Sequence, residues 1–316
     1  MYLGDDMKKI KLKKSAYVLL ATVVLTTGGI IGYQKYNAYI TSDKYLLMEK
    51  GYSETDITEI LKSREITTTL LNRDYNEHIL SIMNEKYYLK KNLDKYLNYK
   101  KENPNKTNTE IISIINVGAD IDWYETIKPT DTTKGNLILV NKYNYLPDNY
   151  EIEDLVNMSI KVSFQGKKIK EEVYNAFYKM SMDARKDDLT IVANSTYRDY
   201  DYQAALYKRY KNNKGQAYAD NYAARPGHSE HQTGLAIDVS TLNSSLENFH
   251  ETDEYKWLID NAHKYGFILR YPKEKEFITG YNYESWHYRY VGIDVAKQIK
   301  NENITFDEYY AYYMEG

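Results

Sequence analysis

The sequence GHSEHQTGLAIDVS, at residues 227–240, places two histidines three residues apart, before a run whose only charged residue is Asp238. After Gly234 the side chains alternate, so a strand here would bury one face and present Asp238 on the other, beside the small Ala236. The buried face would consist of three aliphatic residues: Leu235, Ile237 and Val239. His231 can fold back over Asp238 if Gly234 supplies a tight bend. Because a buried carboxylate is costly unless something positive meets it, the pattern indicates a metal site.

A second stretch, YESWHYRYVG at residues 283–292, offers the ligand that such a site still needs. A catalytic zinc has three protein ligands and keeps its fourth position open. His287 supplies an imidazole, and Glu284 precedes it by three residues. A continuous strand would place these two side chains on opposite faces, whereas a turn between them lets both reach one site. A glutamate there is suited to take a proton from water.

The order of these residues is more specific than either pair alone. The motif S-x-H-x-x-G-x-A-x-D, followed by E-x-W-H, resembles the zinc D,D-carboxypeptidases of the VanY and LdcB type, peptidase family M15B. The motif residues are Ser229, His231, Gly234, Ala236, Asp238, Glu284, Trp286 and His287. The similarity extends over about residues 111–292 and includes STYRDYDYQAALY at 195–207, YGFILRYP at 265–272 and LVNKYNYLPDNYEIEDLV at 139–156.

The resemblance implies a role for each matching position. It implies that zinc is held by His231, Asp238 and His287, and that Glu284 is the general base and then the proton donor to the leaving amine. Arg198 matches an arginine that contacts the substrate, at either the scissile carbonyl or the terminal carboxylate. An arginine can stabilise a developing oxyanion without a proton equilibrium of its own. The remaining implied substrate contacts are Gln203, Ser229 and Trp286.

Other histidines and arginines near the motifs have less specific interpretations. His228 adjoins the motif, and we expect it to be exposed or hydrogen-bonded rather than bound to metal. Arg270 and Arg289 could hold a carboxylate, or form ion pairs that support the sheet.

Short apolar runs separated by turns begin near residue 109, and they mix with helical patterns without a regular βαβ alternation, which predicts an α+β domain. The predicted strands lie at 138–141 and 189–195, and the predicted helices at 169–186 and 201–213. The resemblance implies the zinc DD-peptidase, hedgehog-like fold, with a mixed or antiparallel sheet and flanking helices, over residues 109–316.

Residues 34–108 are predicted to form a helical stalk or a small helical subdomain. Ser53 and Asp56 provide an N-terminal cap before an apolar helical pattern, and the sequence Asn-Pro-Asn at 103–105 breaks the last helix.

The N-terminal segment predicts a membrane anchor. Residues 15–33 carry no charge, and their length suits a helix that needs roughly 20 residues to cross a bilayer. The preceding basic cluster consists of Lys8, Lys9, Lys11, Lys13 and Lys14. It should stay in the cytoplasm, so the rest of the chain should lie outside the cell. A cleaved signal peptide is the alternative, but the apolar run exceeds the usual h-region of about 7–15 residues.

The composition excludes some classes of protein. The net charge of −3 gives no electrostatic argument for nucleic-acid binding. The chain has no cysteine, so it forms no disulfide, and its metal ligands must be His, Asp or Glu. Its 36 tyrosines are spread along the chain and are best interpreted as packing residues.

These features predict a zinc peptidase anchored in the cell membrane of a Gram-positive bacterium, which removes D-alanine from peptidoglycan stem peptides outside the cell. Two alternatives are a wall-binding module without turnover and a stalked scaffold that engages a membrane partner. Glu284 favours the enzyme, because binding alone needs no base beside the metal. Whether the bond is D-Ala-D-Ala, or the L-Lys-D-Ala or diaminopimelyl-D-Ala bond one residue further in, stays open.

Overall fold

The computed structural model describes residues 14–147 and 150–315, with side chains from residue 25 onward. The chain divides into two compact units, Met1–Asn84 and Glu85–Gly316. The helices of the first unit are α1 (Lys14–Ile40), α2 (Asp43–Lys50), α3 (Glu54–Ile60), α4 (Arg64–Leu71) and α5 (Ile79–Met83).

The first unit is helical, as its sequence predicts. Ser53 caps α3 by accepting a hydrogen bond from the backbone N–H of Asp56, which confirms the predicted cap. Four of the predicted cytoplasmic lysines, Lys8, Lys9, Lys11 and Lys13, lie outside the described residues, as do the side chains of residues 14–24. Among the residues that are described, no helix combines the length and apolar character that crossing a membrane requires.

The second unit contains helices and short strands. Its helices are α6 (Leu93–Glu102), α7 (Asn108–Val117), α8 (Glu171–Ala184), α9 (Tyr200–Lys214), α10 (Gln216–Tyr222), α11 (Asp253–Asn261), α12 (Glu276–Thr279), α13 (Ile293–Glu302) and α14 (Phe306–Tyr313). Its strands are β1 (Lys128–Pro129), β2 (Asn144–Tyr145), β3 (Leu155–Asn157), β4 (Lys168–Lys170), β5 (Val192–Ser195), β6 (Ala236–Ser240), β7 (Phe267–Leu269) and β8 (His287–Tyr290).

The central sheet has four antiparallel strands in the order β5-β6-β8-β7. One face packs against α8, whose Val173, Phe177 and Met180 belong to the same buried cluster as the sheet residues. Strand β6 contributes the three aliphatic residues predicted for its buried face: Leu235, Ile237 and Val239. The opposite face of β6 is therefore free to carry Asp238. The α+β class is confirmed.

The predicted helices at 169–186 and 201–213 correspond to α8 and α9, and the strand predicted at 189–195 is present as β5. The strand predicted at 138–141 is wrong. The carbonyls of Asn136 and Ile138 accept hydrogen bonds from the Arg289 guanidinium, at 2.9 Å and 2.8 Å, so an arginine side chain occupies acceptors that a neighbouring strand would need.

Helices α6 and α7 belong to the second unit. Helix α7 buries four isoleucines, and its Ser113 hydroxyl donates a hydrogen bond to Glu308 in α14 at 2.7 Å. The domain boundary at 108/109 stays a prediction.

Candidate metal centre and active-site cavity

The pairing of β6 with β8 places two of the proposed ligands side by side. Asp238 and His287 are direct partners in this antiparallel register. Residues 285 and 286 form a turn before β8 begins at His287, so Glu284 is not constrained to the opposite face. The backbone N–H of His287 donates to the Glu284 carbonyl at 3.2 Å across this turn. The predicted turn between Glu284 and His287 is confirmed.

His231 reaches the same place from a 3-10 turn over Glu230–Thr233. Gly234 ends that turn with φ of +66°, a left-handed conformation that suits glycine. A Cβ at this position would lie 2.8 Å from Lys170 Cγ, so the site also leaves no room for a side chain. The predicted tight bend at Gly234 is confirmed, and it turns the chain from His231 into β6.

The donor atoms of His231, Asp238 and His287 all lie within 4.8 Å of one another, and all three residues are buried. Asp238 Oδ1 is 3.2 Å from His231 Nε2 and 3.1 Å from His287 Nδ1. Bonds of about 2.0–2.1 Å in a tetrahedral arrangement put neighbouring donors roughly 3.3 Å apart, so this spacing fits one zinc ion.

The hydrogen bonding of His231 also fits a metal ligand. Its Nδ1 lies 2.7 Å from the Thr196 carbonyl, which accepts only if that nitrogen carries the proton. Nε2 is then a lone-pair donor, and within the described part of the chain it donates no hydrogen bond, although Asp238 Oδ1 lies 3.2 Å away. Burial, together with the Arg198 charge, lowers the pKa of His231 to about 4, so the imidazole is held neutral.

Glu284 lies at the edge of the three ligands, with its Oε2 3.7 Å from His287 Nδ1. Burial raises the pKa of Glu284 to about 7, and the His287 charge opposes that shift. A carboxylate with a pKa near neutrality can both accept and return a proton, as a general base and acid must.

A cavity of about 450 Å³ opens over the ligands, and each residue that the sequence assigned to catalysis or substrate binding lines it. These residues are Arg198, Gln203, Ser229, Glu284 and Trp286. Arg198 donates to Ser195 Oγ at 3.2 Å and lies 3.7 Å from Asp238 Oδ2. Among the described residues, its Nε and the Oε1 of Gln203 have no hydrogen-bond partner, which leaves both available to a ligand.

His228 is buried and has the hydrogen-bonded role that was one of its two predicted alternatives. Its Nδ1 lies 2.8 Å from the Asn141 carbonyl, and His228 is not one of the three grouped ligands.

The sequence did not assign a role to Glu230, which is buried directly beside the centre. Its Oε1 accepts hydrogen bonds from Arg270 Nε at 2.7 Å and from Arg289 at 2.8 Å. The two arginines were predicted either to hold a carboxylate or to support the sheet, and they hold this carboxylate. The available signal was an acidic residue next to His231, in a chain with one arginine in each of the apolar stretches at 265–272 and 283–292.

Known proteins share this region. A family model described as "VanY: D-alanyl-D-alanine carboxypeptidase" matches residues 166–293. The Bacillus subtilis (strain 168) protein named "Putative carboxypeptidase YodJ" is 43% identical over 197 residues, covering 60% of this chain and 71% of that protein. A D-alanyl-D-alanine carboxypeptidase of Enterococcus faecium is 36% identical over 201 residues, covering 60% of this chain and 62% of that protein.

A solved structure of the LdcB LD-carboxypeptidase has the same fold. It is 42% identical, covers 61% of this chain and 94% of that chain, and has a TM-score of 0.56. The range that the family model matches includes both motifs and the three buried ligands of this chain. The chain therefore belongs to the VanY/LdcB family of zinc-dependent D-alanyl-D-alanine carboxypeptidases, and zinc is its cofactor.

Proposed function

We propose that this chain is a membrane-anchored, extracellular carboxypeptidase that removes the C-terminal D-alanine from peptidoglycan stem peptides, with Glu284 as its general base. The observation that carries the proposal is the convergence of three buried ligands, a carboxylate and an arginine on one cavity. When bound, zinc supplies Lewis acidity, which polarises a peptide carbonyl and makes water a stronger acid.

Glu284 has the position and the basicity for proton transfer. Its Oε2 is 3.7 Å from a ligand atom of His287, so it is within reach of a water that attacks beside the ligands. It takes the proton from that water and then gives it to the leaving amine of D-alanine. The pKa of about 7 that burial gives Glu284 suits both steps near neutral pH.

Arg198 supplies the positive charge on the substrate side of the cavity. Its guanidinium donates either to the scissile carbonyl oxygen or to the terminal carboxylate of the stem peptide. Gln203, Ser229 and Trp286, which line the same cavity, complete the proposed substrate contacts. A small cavity with a cationic side chain is appropriate for a peptide that ends in a free carboxylate.

Membrane anchoring is supported by the uncharged run at residues 15–33 and the lysines before it. Within α1 the side chains of Leu25, Ile30 and Ile31 are more than half exposed, at 76%, 56% and 53%. Treatment of intact protoplasts with protease tests the proposed orientation. Digestion of the C-terminal unit is expected, and its protection would reverse the orientation.

The catalytic proposal is tested by mass spectrometry of synthetic penta- and tetrapeptide stems incubated with the purified chain. We expect loss of one terminal D-alanine, and the stem that is shortened identifies the bond. Glu284→Gln should lower turnover by about 10²–10⁴ while zinc stays bound, because an amide cannot accept the proton. If Glu284→Gln cleaves at the wild-type rate, this mechanism is wrong. If the wild-type chain holds zinc and binds stems without cleaving them, it is a wall-binding module instead.

A further inference from the structure

Glu230 uses its two carboxylate oxygens for different partners. Oε1 accepts from Arg270 at 2.7 Å and from Arg289 at 2.8 Å. Oε2 lies 3.3 Å from Nε2 of His287 and is not among the atoms that either arginine contacts. The ion pairs with the two buried arginines therefore account for the position of Oε1 but not for that of Oε2.

The two ring nitrogens of His287 also face different groups. Nδ1 points to Asp238 Oδ1 at 3.1 Å, on the side where His231 lies, and Nε2 points to Glu230. A neutral imidazole has one N–H and one lone pair, and the partner of one nitrogen determines the state of the other. A proton held on Nε2 leaves the lone pair of Nδ1 directed at the three-ligand centre.

We infer that Glu230 is a positioning residue for the metal: it accepts the Nε2–H of His287 and thereby fixes the tautomer and the ring orientation that present Nδ1 to zinc. This inference rests on the proposed role of His287 as a ligand. A carboxylate that accepts from a ligating histidine is a recurrent arrangement that raises the basicity of the ligand.

The surrounding contacts hold Glu230 in place for this task. Arg270 is itself held by Asp307 of α14 through a pair of hydrogen bonds, at 2.5 Å and 3.2 Å. Arg289 also donates to two backbone carbonyls, those of Asn136 and Ile138. Because both arginines are fixed by other groups, the carboxylate between them has little freedom to move away from His287. Rigid support of a ligand by its neighbours is what a precise metal site needs.

The test compares zinc affinity in wild type, Glu230→Gln and a matched control, Glu308→Gln. Glu308 is likewise a buried glutamate of the same unit with a cationic partner, Lys275 at 3.0 Å, but it does not line the active-site cavity. Competition with a chromophoric chelator gives the zinc Kd of the whole chain, and thermal unfolding without metal gives the cost in stability. We expect Glu230→Gln to raise the Kd about 10–100-fold, and Glu308→Gln to lower the unfolding temperature without changing the Kd.

A second readout does not depend on the Glu230 variants. Long-range ¹H–¹⁵N spectra of the zinc-loaded wild-type chain, assigned with His287→Ala, should show the His287 proton on Nε2. A proton on Nδ1 overturns the inference, even if the Glu230 variants do not fold. A wild-type Kd in a folded Glu230→Gln chain also overturns it and leaves Glu230 a purely structural residue.

The same measurements separate this inference from the proposed function. If His287→Ala binds zinc as tightly as wild type, His287 is not a ligand and the proposed centre itself fails. If His287→Ala loses zinc while Glu230→Gln keeps wild-type affinity, the centre stands and only the role of Glu230 is rejected.

Discussion

Arg198 contacts the proposed centre without being one of its ligands. It lies 3.7 Å from Asp238 and lines the cavity. We expect Arg198→Ala to lower kcat/KM by about 10²–10³, the loss typical of one oxyanion donor, with the zinc content unchanged. Steady-state kinetics on a stem peptide, together with metal analysis after gel filtration, measure both quantities.

Arg198→Lys is the matched control, because it keeps a positive charge and loses the planar fork. A rise in KM alone in Arg198→Ala would assign Arg198 to the terminal carboxylate, and a fall in kcat would assign it to the scissile carbonyl. Wild-type kinetics in Arg198→Ala would remove this residue from the site.

Lys142 is a buried cation in an aromatic cage. Its Nζ lies 4.6 Å from the ring centre of Tyr281, a cavity residue, and 5.5 Å from those of Trp123 and Tyr124. Burial lowers the pKa of Lys142 to about 8, although the Asp220 charge opposes the shift. Between that pKa and the unfolded value of about 10.4, the unfolded chain binds more protons at this residue, so its contribution to folding stability rises with pH.

We therefore expect the unfolding free energy of wild type to rise by about 2–3 kcal/mol relative to Lys142→Met between pH 7 and pH 10. Urea unfolding of both proteins at each pH measures this difference. Tyrosines also titrate near pH 10, but both proteins contain the same tyrosines, so their contribution cancels in the difference. Lys214→Met serves as the control, because Lys214 is exposed and its Nζ lies 5.9 Å from the centre of the Tyr218 ring. A pH-independent difference for Lys142→Met would mean that the Lys142 pKa is unshifted.

At the scale of elements, the turn that ends at Gly234 connects His231 to β6. Gly234→Ala adds a Cβ 2.8 Å from Lys170 and 3.2 Å from Ile152, in a left-handed conformation that itself costs about 1–2 kcal/mol for alanine. We expect a loss of about 2–4 kcal/mol in the unfolding free energy and weaker zinc binding, because the turn that carries His231 must shift.

Gly118→Ala measures the cost in unfolding free energy of the left-handed backbone alone, without the crowding that Gly234→Ala adds. Gly118 is left-handed at φ of +77°, and a Cβ there would meet nothing within 4 Å. It should lose only about 1–2 kcal/mol and keep wild-type zinc affinity. Equal effects of the two substitutions on zinc binding would show that the crowding at Gly234 is harmless to the metal site.

The elements that the sequence predicted well are those specified by nearby residues. Helices α8 and α9, the alternation in β6 and the bend at Gly234 depend on periodicity and on one glycine. The segment at 138–141 fails as a predicted strand because Arg289, far along the chain, binds the carbonyl of Ile138. The sequence pattern around residues 138–141 does not indicate a hydrogen-bond partner so distant in the chain.

The same distinction applies to the site. The three ligands and Glu284 are contained in two short motifs, so their meeting could be anticipated from spacing and resemblance. The role of Glu230 could not be anticipated, because its position depends on Arg270, which follows β7, and on Arg289 in β8. Side chains that act through another residue leave a weaker signal in the sequence than direct ligands do.

The second unit includes helices α6 and α7, which precede residues 166–293, the range that the family model matches. Tyr96 of α6 is fully buried and hydrogen-bonds Asn116 of α7. Tyr87 stacks on Tyr312 of α14, with ring centres 3.9 Å apart. Helix α14 in turn supplies Asp307, which holds Arg270 beside Glu230. Residues 85–117 are thus connected to the metal centre through α14.

We therefore expect a fragment of residues 85–316 to fold with the zinc affinity of the parent chain, and a fragment of residues 109–316 to be destabilised by several kcal/mol. The shorter fragment loses the burial of Leu93, worth about 1.5–3 kcal/mol, and that of Tyr96. It also loses the capping box at Thr107 that starts α7. Thermal unfolding and chelator competition on both fragments make the comparison, with the whole chain as reference. Equal stability of the two fragments would instead put the domain boundary at residue 109 and leave α6 as part of a separate stalk.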